Sequence, residues 1–249
     1  MNQHRFASTL FCAAMALFLI SCGGGSSGEK SSTDTTATTT DTTATTTPQM
    51  QTNSIITTPT NMLVVRHKVA NYEKWKPAYD GHDSMRQADG LHNFIIGRGV
   101  PDSNMVIVAL KADDLAKAKA FAKDPSLKTA MKKGGVVGAP SIKYITMVYQ
   151  DTSMTDSKMR SATMIRVKDW DAWKKSFDST HALKTDNGLM VRAYGHDADD
   201  NHNVTIVSAI LDSAKAHAFW NSDLIKQRMA AGGVVGKPDR FIYQIVQKY

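Results

Sequence analysis

Cysteine is almost missing from this chain of 249 residues: only Cys12 and Cys22 occur, both ahead of the first segment with globular patterning. The folded part therefore has no disulfide, thiolate metal site or thiol nucleophile to draw on. It must rest on hydrophobic burial alone, which is feasible for units of about 90 residues. Long apolar runs are missing too, since Phe6 to Ile20 falls short of the about 20 apolar residues that a membrane-spanning helix needs. From Gly23 to about Thr60 large apolar residues are scarce and Thr, Ser and Gly dominate. Such a stretch cannot bury enough surface to offset its chain entropy, so residues 22–60 are expected to form a disordered tether. As a coil its ends would sit on the order of 35 Å apart. Dense basic clusters are also lacking. The formal charge is +7, but Lys132, Lys133 and Lys143 give one stretch a basic edge where a later one has Ala230, Ala231 and Arg240, too sparse a pattern for nucleic acid.

What is present begins with Met1–Arg5, a short positive segment, followed by the apolar run and then Leu19-Ile20-Ser21-Cys22. This resembles the lipobox of bacterial lipoproteins. The resemblance implies a signal peptide at 1–21, diacylation of Cys22, and a lipid anchor in the cell envelope of a Gram-negative bacterium, at the outer membrane. Acylation would consume the last cysteine of the mature chain.

Sliding the remainder by 98 residues superposes two halves. Val69-Ala-Asn-Tyr-Glu-Lys-Trp75-Lys76 lies over Val167-Lys-Asp-Trp-Asp-Ala-Trp173-Lys174, and Gly90-Leu91 over Gly188-Leu189. Gly134-Gly-Val-Val-Gly138 lies over Gly232-Gly-Val-Val-Gly236, each followed by a proline, Pro140 and Pro238. The organisation expected is repeat 1 at 61–151, a linker at 152–160 and repeat 2 at 161–249.

Within one repeat, Met62–Val69 reads as a strand and a helix capped near Asn71, or Asp169 in the second copy, runs to about Ala88 and stops at Gly90. Two strands, Leu91–Gly97 and Met105–Lys111, precede a helical region from Asp114 to Lys133 in which Pro125 starts a second segment. A Gly-rich turn and a last strand, Ile142–Tyr149, complete the order βαββαβ. That order is the ferredoxin-like α+β pattern, a four-stranded antiparallel sheet with helices on one face. Its bare face needs a cover, and tandem duplication supplies one. Tyr72-x-x-Trp75, Gly90-Leu91 and the Gly-Val-Val-Gly close resemble the dimeric α+β barrel superfamily, which includes antibiotic-biosynthesis and haem-degrading monooxygenases. The resemblance implies an intrachain pseudo-dimeric barrel, a monomer in solution, and a ligand cavity between sheet and helices.

Tyr72, Trp75, Tyr79 and His82 share one helical face, as do Trp170, Trp173, Phe177 and His181, and aromatic stripes of this spacing are chiefly core. On the opening strand Val65, His67 and Val69 share a face, and Ile165 stands at the place of His67 in repeat 2. His67 and His82 thus form the candidate acid–base pair of repeat 1, with rings expected to approach across its cavity, while repeat 2 reads as a structural half. No Asp or Glu joins the two histidines, so no metal is expected. The Gly-rich segments lack the Lys-Ser/Thr that phosphate loops carry and read as turns. The haem-degrading branch has an Asn inside the first strand. This chain does not, so no cofactor is expected. The reading that results is an envelope lipoprotein binding a small apolar ligand or a protein partner. The alternative is a cofactor-independent monooxygenase working from His67 and His82.

Overall fold

A computed structural model describes residues 54–249. The signal peptide, Cys22 and most of the tether lie outside the described residues. Repeat 1 comprises β1 (Ile55–Ile56), β2 (Thr60–Val69), α1 (Tyr72–Asp80), α2 (Asp83–Ala88), β3 (Leu91–Gly99), β4 (Met105–Ala112), α3 (Leu115–Lys123), α4 (Pro125–Lys133) and β5 (Val136–Asp151). Repeat 2 comprises β6 (Met159–Val167), α5 (Trp170–Asp178), α6 (His181–Asp186), β7 (Leu189–Asp197), β8 (Asp200–Ile210), α7 (Ser213–Asn221), α8 (Asp223–Ala231) and β9 (Val234–Lys248). Among the described residues no helix is long and apolar enough to cross a membrane.

Local chemistry accounts for the boundaries. Asn71 Oδ1 accepts from the Lys74 amide and Asp169 Oδ1 from the Ala172 amide, so both expected N-caps are in place. Gly90 and Gly188 adopt φ of +68° and +75°, which turns the chain from helix into strand where a side chain would be strained.

Three boundaries differ from the sequence expectation. The first helix does not run unbroken to Ala88 but stops at Asp80 and restarts at Asp83, with the matching break in repeat 2 after Asp178. At these breaks the last carbonyls accept a turn amide and, in addition, a buried cation: Arg86 Nη1 donates to Tyr79 O at 2.8 Å, and Lys184 Nζ to Phe177 O at 3.2 Å. The last strand of each repeat starts earlier, at Val136 and Val234, and takes in most of the Gly-rich segment. Pairing survives there because a bulge opposite His67, between Arg66 and Lys68, absorbs the chain from Gly138 to Pro140. Finally, part of the segment assigned to the tether is ordered, since Ile55 pairs with Asp151 and Ile56 with Gln150.

The strands form one sheet in the order β1-β5-β2-β4-β3-β9-β6-β8-β7, and a further β5–β7 pairing closes it. The two halves are therefore joined edge to edge by hydrogen bonds at two seams, β3–β9 and β5–β7, and their inner faces meet across a lumen. Every pairing is antiparallel, so equivalent strands of the two repeats run in the same direction. The pseudo-two-fold axis consequently runs along the barrel. Glycine sits at both seams: Gly97 opposite Ile245, and Gly195 opposite Met147.

Alternation along β2 sorts the core. Leu63, Val65 and Val69 face the helices and pack with Trp75 and Phe121, whereas Met62 faces the lumen with Ile107, Ile145 and Tyr243. Val167, Trp173 and Tyr194 form the matching helix-side cluster of repeat 2.

Candidate functional site

His67 follows Leu63 and Val65 on the helix-facing side of β2. It lines a cavity of about 70 Å³ with Trp75, Tyr79, His82 and Arg86, so both sequence-selected histidines open onto the same space. The His67 ring is 4% exposed, its centroid 5.5 Å from that of Trp75, and neither ring nitrogen has a hydrogen-bond partner. Burial alone pushes its pKa down to about 4, so the imidazole is neutral at physiological pH.

His82 lies in the break between α1 and α2 rather than on the first helix, with Nδ1 3.4 Å from Met85 Sδ. The two histidines share a cavity, but no hydrogen bond couples them as an acid–base pair.

Aromatic rings form much of the wall. Trp75 and Tyr79 stack at 5.0 Å, and the Tyr79 hydroxyl donates to Asn93 Oδ1 at 2.5 Å. Burial raises the Tyr79 phenol well above its ordinary range, so it is never an anion here. Arg86 lies 3.8 Å from the Tyr79 ring centre, ion-pairs with Asp83 at 3.1 Å, and leaves its buried Nε without a partner. The buried polar atoms of this wall that have no partner are thus the two His67 nitrogens and Arg86 Nε. Sequence reasoning missed Arg86. Its signal was present, because Arg86 and Lys184 stand in register, each four residues before the glycine that ends its helix.

Repeat 2, with Ile165 at the place of His67, has a helix-side space of its own. It holds a cavity of about 110 Å³ lined by Ile165, Ser161, Thr163, Lys184, Trp220 and Arg240 among others. Arg240 stacks 4.2 Å over Trp220 and donates Nε to Thr163 Oγ1 at 3.2 Å. Burial lowers Lys184 to about 8, yet its ammonium donates to Phe177 O, Thr180 O and Thr180 Oγ1. Those bonds make it a helix cap instead of a free nucleophile. His181 lies 3.8 Å from Asp178, its ring 5.3 Å from that of Tyr149. Among the described residues no three His, Cys, Asp or Glu side chains are grouped to hold a metal ion.

Comparison with solved structures places this arrangement. A proposed monooxygenase from Fusobacterium nucleatum subsp. nucleatum superposes with a TM-score of 0.51 at 13% identity, covering 76% of this chain and 93% of that one. An anthrone oxidase-like protein gives 0.55 at 13% identity, covering 78% and 95%. The fold is a dimeric α+β barrel. Here both halves of that barrel come from one chain, with β3–β9 and β5–β7 as the seams between them. At this identity the likeness extends to the fold alone. No protein-family model and no curated protein matches the chain.

Proposed function

We propose that this protein is an exported lipoprotein, anchored through Cys22, whose barrel is monomeric and whose repeat 1 cavity binds a small apolar ligand bearing one hydrogen-bonding group. The observation that carries the ligand reading is His67, a buried imidazole with both nitrogens unpaired on the wall of an apolar cavity. Leaving such a group unpaired costs about 1–3 kcal/mol, a cost that a ligand hydrogen bond would offset. At about 70 Å³ the cavity is half the size of the about 150 Å³ engineered cavity that admits benzene. It suits a small cyclic or aliphatic guest, and larger ones require movement at the α1–α2 break.

Cyclopentanone and cyclopentane make a suitable probe pair, read by NMR titration of the full chain. The ketone is expected to bind about three- to tenfold more tightly, the worth of one net hydrogen bond. The His67→Ile variant, which copies repeat 2, should lose that preference. Equal binding of both probes to the unaltered chain would defeat the reading.

The two fold relatives support a second reading, cofactor-independent oxygenation in the same cavity. A base with a pKa of about 4 is poorly matched to a phenolic proton near 10, about 8 kcal/mol uphill, which sets binding ahead of catalysis. Oxygen uptake with anthrone separates the two: binding alone gives none above buffer.

The anchor has its own test. Cys22→Ala is expected to leave the precursor unprocessed or to release the protein from membranes, measured by fractionation and mass spectrometry. Normal processing with full membrane retention would exclude lipidation at Cys22.

A further inference from the structure

A space larger than either helix-side cavity, and one that bears charge, is the barrel lumen. It measures about 280 Å³, close to the lower end of about 300 Å³ for small-molecule sites. It lies on the other face of β2 from His67, lined by Met62 and Val64 where the repeat 1 cavity is lined by Leu63, Val65 and His67. Most of its wall is apolar. Phe94, at 36% exposure, and Tyr249, at 51%, mark where it meets solvent.

Two guanidinium groups break that apolar lining. Arg160 is 4% exposed, and among the described residues its side chain hydrogen-bonds only from Nη1 to the Ser157 and Met159 carbonyls, at 2.7 and 2.9 Å. Among the described residues it has no carboxylate partner, and its Nε and Nη2 have no acceptor. Arg192 donates Nη2 to Ser153 O at 2.6 Å and Nη1 to Ser153 Oγ at 3.1 Å, and lies 3.5 Å from Asp151, the one acidic side chain on the lumen wall. With Lys248 also on the wall, the side chains that line the lumen carry three cations against one carboxylate. Lys248 is exposed and Arg192 has Asp151, but Arg160 is a buried charge without a counter-ion, which is costly and calls for an anion.

The register between repeats sharpens the picture. Met62 stands where repeat 2 has Arg160, and Phe94 where it has Arg192. Because the pseudo-two-fold runs along the barrel, each pair lies at the same depth on opposite walls. One wall is therefore cationic and the facing wall apolar.

The geometry points to the lumen as a binding site for a single-chain amphiphile with an anionic head. Arg160 meets the head through its free Nε and Nη2, a side-on fork that matches a carboxylate, Arg192 adds positive charge on the same wall, and the apolar wall takes the tail. This site is independent of the one assigned to His67.

Octanoate, 1-octanol and octylammonium, titrated calorimetrically into the full chain, test it. Octanoate is expected to bind tightest and octylammonium weakest. Arg160→Met, which installs the repeat 1 residue, should weaken octanoate at least about tenfold, the worth of a hydrogen bond to a charged group, and leave octanol within about threefold. Should that variant fail to fold, Arg192→Phe takes the same test with the same expectation. Ala162→Phe, which fills the lumen, should abolish octanoate binding, whereas His67→Ile should leave it unchanged. Octanoate binding no tighter than octanol, or unaffected by the arginine variants, would overturn the proposal. So would binding lost in His67→Ile and kept in Ala162→Phe.

Discussion

Replacing Gly195 with alanine is expected to destabilise the protein by about 3 kcal/mol and to open one side of the barrel. Gly195 sits on β7 opposite Met147, at the seam that closes the sheet on β5. A methyl group there would lie 2.1 Å from the Thr146 carbonyl oxygen and 2.6 Å from Met147 Cα. Both are backbone atoms, so no side-chain rotation relieves the overlap and the strands must part. The freed edges of β5 and β7 would then present unpaired amides and carbonyls, which invites pairing with a second chain. Gly97, its equivalent at the other seam, is the internal comparison. There the nearest atoms belong to side chains, Tyr243 Cδ2 at 2.3 Å and Ile107 Cγ2 at 2.9 Å, which can shift without parting the strands. Urea unfolding and light scattering should rank Gly195→Ala below Gly97→Ala in stability, with self-association confined to the former. Wild-type stability and a monomeric mass for Gly195→Ala would show that the β5–β7 seam is not closed.

His67 should make the protein acid-sensitive in a defined window. Burial lowers its pKa from the ordinary 6.5 to about 4, so between these values the unfolded chain holds a proton that the folded chain does not. Stability therefore rises with pH across this window: the contribution is full above 6.5 and is lost as pH falls toward 4. The whole shift corresponds to about 3 kcal/mol, of which about 2 kcal/mol is lost between pH 7.5 and pH 5. The charged groups sharing its cavity, Arg86 and any protonated His82, would oppose rather than favour a charged ring. His67→Ile removes the titrating group and places an apolar side chain in an apolar setting. Denaturant unfolding at the two pH values should show the variant more stable at pH 5 and its pH dependence reduced by at least about half. Some slope should persist, because burial also lowers the pKa of His181.

The repeats, strand order and helix-facing side of β2 were legible because they depend on period and register, which the sequence displays directly. Identical Gly-Val-Val-Gly segments and the Trp75/Trp173 pair align the copies, and alternation alone turned His67 toward the helices. The break before His82 was not legible, because it depends on Arg86 and Lys184 reaching back to carbonyls seven residues earlier, a contact that periodicity does not encode. The early start of β5 and β9 was hidden for a related reason: glycines and a proline read as a turn unless a bulge accommodates them. The lumen stayed out of view because it has no local pattern. Met62 facing Arg160 gains meaning only once closure and the direction of the pseudo-two-fold are known.

The reading of the repeat 1 site turns on the state of one ring, which ¹⁵N–¹H correlation of the imidazoles over pH 3.5 to 8 reports directly, with His67→Ile supplying the assignment. A neutral, unpaired and buried His67 should show a single neutral form from pH 8 down to about 5 and titrate near 4. A ring that titrates near 6.5 would be solvated, and neither the cavity nor the ligand assigned to it would stand.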